Sequence, residues 1–303
     1  MTEGTVRVGV ALINWNGLAD TIACLESLRA AAPRPEHTVV VDNGSTDNST
    51  GPIDAWIRQH TDLRCQLIAL PSNRGFAGGN NVALERLAAY EELTHFLLLN
   101  NDATVSPSFF ADLRQALTQV PDAGVLGFTI YDSSPRGKGR VWYAGGFVQR
   151  WRALGRHRDD VPRDGRLVPV EFVTGCAMLI SRAGFARLGP LPECYFIYFE
   201  DAEYCLRARA AGFSVLYAPK PVVHHAIHGS LRATTAARVD RRYAHSRALF
   251  ARRNLRGATR VAAVAYLLAA GLGHAVLRTV RGRPLRAWAT LRGTLDGLLS
   301  VQQ

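Results

Sequence analysis

Four times in its first 102 residues the chain runs through a short apolar stretch and stops at polar residues. "VRVGVALI" ends in "NWNG", "TVVV" in "DNGSTD", "CQLIAL" in "PSNRG" and "THFLLL" in "NND". Runs this short, rich in β-branched residues and leucine, read as buried strands. Between them, residues 18–31, 52–60 and about 82–90 read as helices, the first with Leu18, Ile22, Leu25 and Leu28 on one face. Strand–helix alternation predicts an α/β fold, a parallel sheet sandwiched by helices. In open sheets of that kind ligands sit beyond the carboxyl ends of the strands. Here those ends carry Asn14 and Asn16; Asp42, Asn43 and Asp47; Asn73 and Arg74; and Asn100, Asn101 and Asp102. Four polar loops at one edge predict one shared site.

Each motif has a structural and a chemical reading. In "VVVDNGSTD" an aspartate after a strand caps the next helix or makes an Asx-turn, or it accepts from a pyrimidine or a ribose hydroxyl. "NRGFAGGNN" places three glycines in five residues, which suits a tight turn or a close backbone approach to a ligand, with Arg74 available to a phosphate. It matches neither the dinucleotide nor the P-loop pattern. "LLLNND" ends a rigid strand in one carboxylate, Asp102, suited to anchoring Mg2+ or Mn2+ beside a nucleoside diphosphate, with Asn100 beside it for a ribose or a water. In "YFEDAEYCLRARAAG" two acids, Glu200 and Asp201, follow Phe196, Tyr198 and Phe199 at a helix start. The helix dipole favours acids there. The same acids suit a general base. Glu203 and Arg207 have the spacing of a helical ion pair. "VVHHAIHGS" offers three histidines, of which His225 is the candidate second metal ligand.

The second half is less regular. Residues 131–169 are rich in Gly, Arg and Pro and read as loop, followed by a strand region in "VPVEFVTGCAMLIS" and a helix closed by Gly212. Five scattered cysteines (Cys24, Cys65, Cys176, Cys194, Cys205), with no C-x-x-C pair, speak against a disulfide framework or a structural zinc site. With no signal-peptide pattern in "MTEGTVRVGV", the expected location is the cytoplasm. The net charge of +11 belongs to the tail: residues 232–303 hold fourteen arginines and two acids, leaving 22 basic and 23 acidic residues in 1–231. That distribution favours an anionic membrane surface over nucleic acid. The apolar run 261–277 is shorter than the ~20 residues of a typical span, so it reads first as a helix in the membrane interface, next as a buried packing helix and last as a span. Leu285, Trp288, Leu291 and Leu295 share one helical face. The expectation is peripheral attachment to the cytoplasmic face of the inner membrane through residues 232–303.

Taken in order, "VDNGSTD", "NRGFAGGNN", "LLNND", "TGCAMLISR" and "FIYFEDAEYCLRARAAGF" resemble the inverting glycosyltransferases of family 2, and most closely their bacterial rhamnosyltransferase branch, from about Val8 to Ser230. The resemblance implies the GT-A fold, a Rossmann-like nucleotide-sugar-binding sheet flanked by helices, followed by a basic helical extension. It implies a domain over 1–231, with a donor half to about 105 and an acceptor half from 106. Asp42 would contact the pyrimidine, Asp102 would hold the metal, Asp201 would be the base and His225 a further ligand. Asn14, Asn43, Asn73, Arg74, Gly75, Gly78, Asn80, Asn100 and Asn101 would surround the donor. Gly175, Tyr198 and Phe199 would meet the acceptor, with Glu200 beside the base. The implied donor is a dTDP- or UDP-sugar, dTDP-rhamnose being favoured by the branch, and the acceptor a glycan or a lipid-linked sugar in cell-surface polysaccharide assembly. Two positions depart from the pattern: Asn100-Asn101-Asp102 stands for D-x-D, and Glu203 for the last acid of E-D-x-D. The rival readings are a sugar-1-phosphate nucleotidyltransferase, which would want a basic Gly-rich loop after the first strand where this chain has "INWNG", and a non-catalytic nucleotide-sugar or glycan-binding protein.

Overall fold

A computed structural model describes residues 6–135, 137–227 and 235–300. The first five apolar segments form β1 (Val8–Asn14), β2 (His37–Asp42), β3 (Cys65–Ala69), β4 (His95–Asn100) and the short β5 (Ala103–Val105). The helices between them are α1 (Leu18–Ala30), α2 (Thr50–Gln59) and α3 (Gly75–Ala88). Strands β3, β2, β1 and β4 lie side by side and parallel, in that order. Val8, Val10, Ala11, Leu12, Val39, Val40, Val41 and Leu97 are buried, as expected for a sheet covered on both faces. All four strand ends therefore reach one edge.

After α4 (Phe109–Gln119) the sheet continues with β6 (Ala123–Asp132). The region expected to be loop contains β7 (Val141–Tyr143), β8 (Gly146–Gln149), β9 (Leu154–His157) and β10 (Val168–Pro169). These pieces are two to four residues long, too short to show a period among the glycines and arginines around them. Strand β11 (Ala177–Ser181) runs antiparallel between β4 and β6, so the sheet is mixed rather than parallel throughout. Helix α5 (Arg182–Leu188) and helix α6 (Glu200–Ala210) follow, and α6 ends near Gly212 at φ +89°. The long β12 (Ser214–His225) then pairs parallel to β6 and antiparallel to β5.

Helix α3 begins at Gly75, seven residues before the expected start. Asn43 accepts from the Arg74 N–H at 2.9 Å and donates to the Gly75 carbonyl at 2.9 Å, while Asn73 accepts from the Gly75 N–H at 2.8 Å. Two asparagine side chains thus shape the entry to a helix whose interior glycines, Gly78 and Gly79, carry an intrinsic propensity cost of about 1 kcal/mol each relative to alanine.

The tail is helical: α7 (Ala236–Asn254), α8 (Gly257–Val280) and α9 (Pro284–Leu299). Ala248, Leu249, Phe250, Ala251, Leu255, Ala263 and Leu267 are part of the same core as the sheet, so one core holds residues of both the body and the tail; the expected boundary at 231 lies outside the described residues. Glu203 does not pair with Arg207. It is buried on α6 and meets Arg253 of α7 at 2.8 Å, with Asn254 at 2.7 Å and the Tyr195 hydroxyl at 2.6 Å. Arg207 instead donates to the carbonyl of Leu188.

Candidate active site

Two cavities open at the sheet edge and share Phe76, Asn100 and Ile197. The smaller, about 110 Å3, is walled by amides: Asn43, Asn73, Asn80, Asn100 and Asn101, with Gly75, Trp15 and Phe196. The larger, about 400 Å3, contains Asp102, Glu200, Asp201 and His225, together with Gly175, Tyr198 and Phe199. Most of the residues expected at a site are thus brought together, amides on one side and acids on the other.

Register explains the pairing of Asp102 with His225. In the antiparallel β5–β12 ladder Ala103 lies opposite His225, and the Ala226 N–H donates to the Asp102 carbonyl at 2.8 Å. This brings His225 Nε2 to 3.0 Å from Asp102 Oδ1, with both side chains buried. Burial opposes charge on His225, but Cys176 and Asp102 outweigh it and lift the imidazole to about 11. Among the described residues no group of three His, Cys, Asp or Glu gathers as a complete metal set.

Glu200 and Asp201 start α6 after two residues in the left-handed region, Tyr198 at φ +73° and Phe199 at φ +74°. Non-glycine residues there are strained, and such strain collects where geometry serves function. The segment is held from three sides. Phe76 N–H donates to the Phe196 carbonyl at 2.7 Å, Ser246 of α7 donates to the Ile197 carbonyl at 2.8 Å, and Phe199 packs on Phe250. Asp201 accepts from the Gly175 N–H at 2.9 Å and from the Ala202 N–H at 2.7 Å. Burial raises the Asp201 pKa against these two bonds. Glu200 Oε2 is buried without a hydrogen-bond partner, and burial plus the Asp201 charge raises its pKa well above the usual value. Of the two, Asp201 is the better placed to carry a charge, since the Gly175 and Ala202 N–H groups donate to its oxygens while Glu200 Oε2 receives no hydrogen bond.

Four residues expected at the donor line neither cavity. Asp42 accepts from Ser45 and Thr50, which makes it an Asx-type cap as it stands. Asn14 is fully buried and ties Ser49 to Thr21. Arg74 forms an exposed ion pair with Glu193 at 3.2 Å. Gly78 lies in α3 under Arg74, where a Cβ would come within 2.9 Å of the Arg74 Cβ. Gly75 does line the smaller cavity, at φ +76°, and a Cβ there would lie 2.3 Å from the Phe196 carbonyl oxygen. The glycines of this motif therefore serve packing between α3, Arg74 and the aromatic segment.

The model of the family described as glycosyl transferase family 2 matches residues 10–189 of the chain. The chain belongs to family 2 of the glycosyltransferases. Among curated relatives of this family 2 glycosyltransferase is the N-acetylglucosaminyl-diphospho-decaprenol L-rhamnosyltransferase of Mycobacterium tuberculosis, 29% identical over 69% of this chain and 72% of the relative. Another is the low-salt glycan biosynthesis hexosyltransferase Agl10 of Haloferax volcanii, 26% identical over 69% of this chain and 63% of the relative. The solved mannosyltransferase PcManGT from Pyrobaculum calidifontis, in complex with GDP-Man and Mn2+, superposes with a TM-score of 0.58 at 17% identity, covering 98% of this chain and 88% of that one. GalNAc-T7 with UDP, GalNAc and Mn2+ gives 0.66 at 13% identity, covering 99% and 57%. At such identities the likeness speaks for the fold, and the fold is GT-A.

The walls of the two cavities also include residues that the motifs did not point to. Trp142 and His157, from β7 and β9, wall the larger cavity, as does Tyr243 of α7. Arg242, also of α7, walls the smaller one. Nothing sets Arg242 apart among fourteen tail arginines, and Trp142 sits in the stretch without a visible period.

Proposed function

We propose that this glycosyltransferase moves a hexose from a nucleoside-diphosphate sugar to an acceptor hydroxyl by a single inverting displacement. L-rhamnose from a dTDP donor is the favoured sugar, because the M. tuberculosis relative is named a rhamnosyltransferase. The observation that carries the reading is the pair of joined cavities, an amide-walled one for the donor and an acidic one with Asp201 for the acceptor. Asp201, charged and oriented by Gly175, takes the proton of the attacking hydroxyl. Glu200, neutral at its side, adds no competing charge. Tyr198, Phe199 and Trp142 line the cavity assigned to the acceptor. Asp42 is assigned to the base of the donor, for which Thr50 or Ser45 would release one of its oxygens.

Asp102 and His225 fit a divalent cation in part: the Asp102 carboxylate faces the cavity, and His225 Nε2 beside it would become a ligand only on giving up the proton that it shares with Asp102. Magnesium is commonly held by one or two carboxylates with phosphate oxygens and water supplying the rest. When bound, Mg2+ or Mn2+ offsets charge on the departing diphosphate. The acceptor is assigned to the glycan or lipid-linked class, since the M. tuberculosis relative is named for a decaprenol-linked sugar. Attachment to an anionic membrane surface goes with that assignment. Helix α8 is long and apolar enough to cross a bilayer by length and composition, but it packs on α9, and the two leave Val261, Leu272, Val276, Leu285, Trp288 and Leu299 exposed.

The test is thermal unfolding with dTDP-, UDP- and GDP-sugars, with and without Mn2+, on the wild type and Asp102→Ala. A donor at 100 times its Kd stabilises by about 2.7 kcal/mol. A metal-dependent shift for one nucleotide, lost in Asp102→Ala, is the expected result. No shift with any nucleotide would overturn the donor assignment.

A further inference from the structure

Resting on that reading, the geometry points to Arg242 on α7 as the phosphate-binding residue of the donor cavity, so that the tail completes the nucleotide site. Among the described residues lining the two cavities, Arg242 is the one arginine or lysine. The cavity it enters contains no aspartate or glutamate. Its guanidinium lies 3.8 Å from the centroid of the Phe196 ring, and among the described residues no carboxylate or carbonyl accepts from it. Most other arginines of α7 are engaged: Arg241 with Asp296, Arg247 with the carbonyls of Arg152 and Ala153, and Arg253 with Glu203.

A half-buried guanidinium held on an aromatic face, with its N–H fork unspent, is an anion receptor. Burial and Arg238 both disfavour its charge, so a bound anion relieves an existing cost. The first turn of α3, at Gly75 and Phe76, lines the same cavity and adds the positive end of a helix dipole. The amides around it are neutral, so Arg242 supplies the charge that a diphosphate needs on this side. The acids lie in the adjoining cavity.

The placement is fixed by contacts already described. Phe196 is held by Gly75 and Phe76, and α7 is held by Ser246 on Ile197 at one point and by Arg253 and Asn254 on Glu203 at another. The "NRGF" motif thus acts on the donor in two ways, through Asn73, Gly75 and Phe76 in the cavity wall and by positioning the ring beneath Arg242.

The test is calorimetric titration of the full chain with UDP, dTDP and GDP and with their monophosphates, on the wild type, Arg242→Ala and Arg242→Lys. For the diphosphate that the wild type binds, Arg242→Ala should weaken binding about 10- to 100-fold, the range of a charge-assisted hydrogen bond. The monophosphate should lose less, and Arg242→Lys should recover part of the loss. All three proteins should melt within a few degrees of one another. Diphosphate binding in Arg242→Ala as tight as in the wild type would overturn the inference alone. Equal losses for mono- and diphosphate would overturn it too, by assigning the effect to the shape of the cavity. A wild type that binds none of the nucleotides would overturn the donor assignment and this inference with it.

Discussion

Glu200 and Asp201 are neighbours in different surroundings, and the roles proposed for them follow from that difference. Asp201 has two backbone N–H donors, whereas Glu200 Oε2 is buried with none. We expect Asp201→Asn to retain nucleotide binding and lose at least ~10²-fold in kcat, the lower range for general-base catalysis. Glu200→Gln copies a protonated acid and should cost only a few-fold. The sign of the pH effect follows from the raised Asp201 pKa. A base works ionised, so kcat/KM should fall as pH drops, with its acid limb above the usual aspartate value of about 4. In Glu200→Gln that limb should stay in place; a limb shifted to lower pH would mean that Glu200 is ionised beside the base. At Gly75 a side chain meets both a left-handed φ and the Phe196 carbonyl. Gly75→Ala should therefore lower stability by about 1–2 kcal/mol or more in chemical denaturation. At this scale the sequence was informative about which residues gather. It was silent on whether a side chain faces a ligand or braces a loop. Asp42 and Asn14 carry the right chemistry and spend it on Ser45, Thr50 and Thr21.

Among the elements, α6 and α7 are joined by one buried carboxylate. Arg253, Asn254 and Tyr195 outweigh burial and hold the Glu203 carboxyl below its usual range. Arg253→Ala leaves that carboxylate undercompensated and should cost about 1–3 kcal/mol at neutral pH. A group with a lowered folded pKa contributes above its unfolded value and loses that contribution as pH falls through the folded one. The difference in Tm between Arg253→Ala and the wild type should accordingly shrink in acid. A cost that did not change with pH would argue that Arg253 acts through packing alone. The strands of the first half were legible because each is a run of buried residues with a polar stop. The start of α3 was hidden because its glycines look like a loop, and the side chains that shape its entry, Asn43 and Asn73, lie outside the helix. Strands β7–β9 were hidden because four residues cannot show a period.

For the whole molecule, the charge map separated body from tail, but the packing joins them. Helix α7 is part of the core and of both cavity walls, whereas α8 and α9 turn an apolar face outward, with Trp288 62% and Leu285 77% exposed. Exposed arginines go with them, Arg281 and Arg283 in the turn between the two helices and Arg292 on α9. Sedimentation with phosphatidylglycerol vesicles should pellet the protein at low salt. Trp288→Ala with Leu285→Ser should release it, and neutral vesicles should capture less. Equal recovery in the supernatant with and without anionic vesicles would remove the membrane assignment and leave the catalytic one standing. The proposed chemistry is glycosyl transfer with Asp201 as the base. Its most direct test is sugar transfer from the donor selected by thermal unfolding, followed by NMR of the product with wild type and Asp201→Asn side by side. The wild type should give product of inverted anomeric configuration, and Asp201→Asn, which still binds the donor, almost none. Retained configuration, or full turnover by Asp201→Asn, would contradict it.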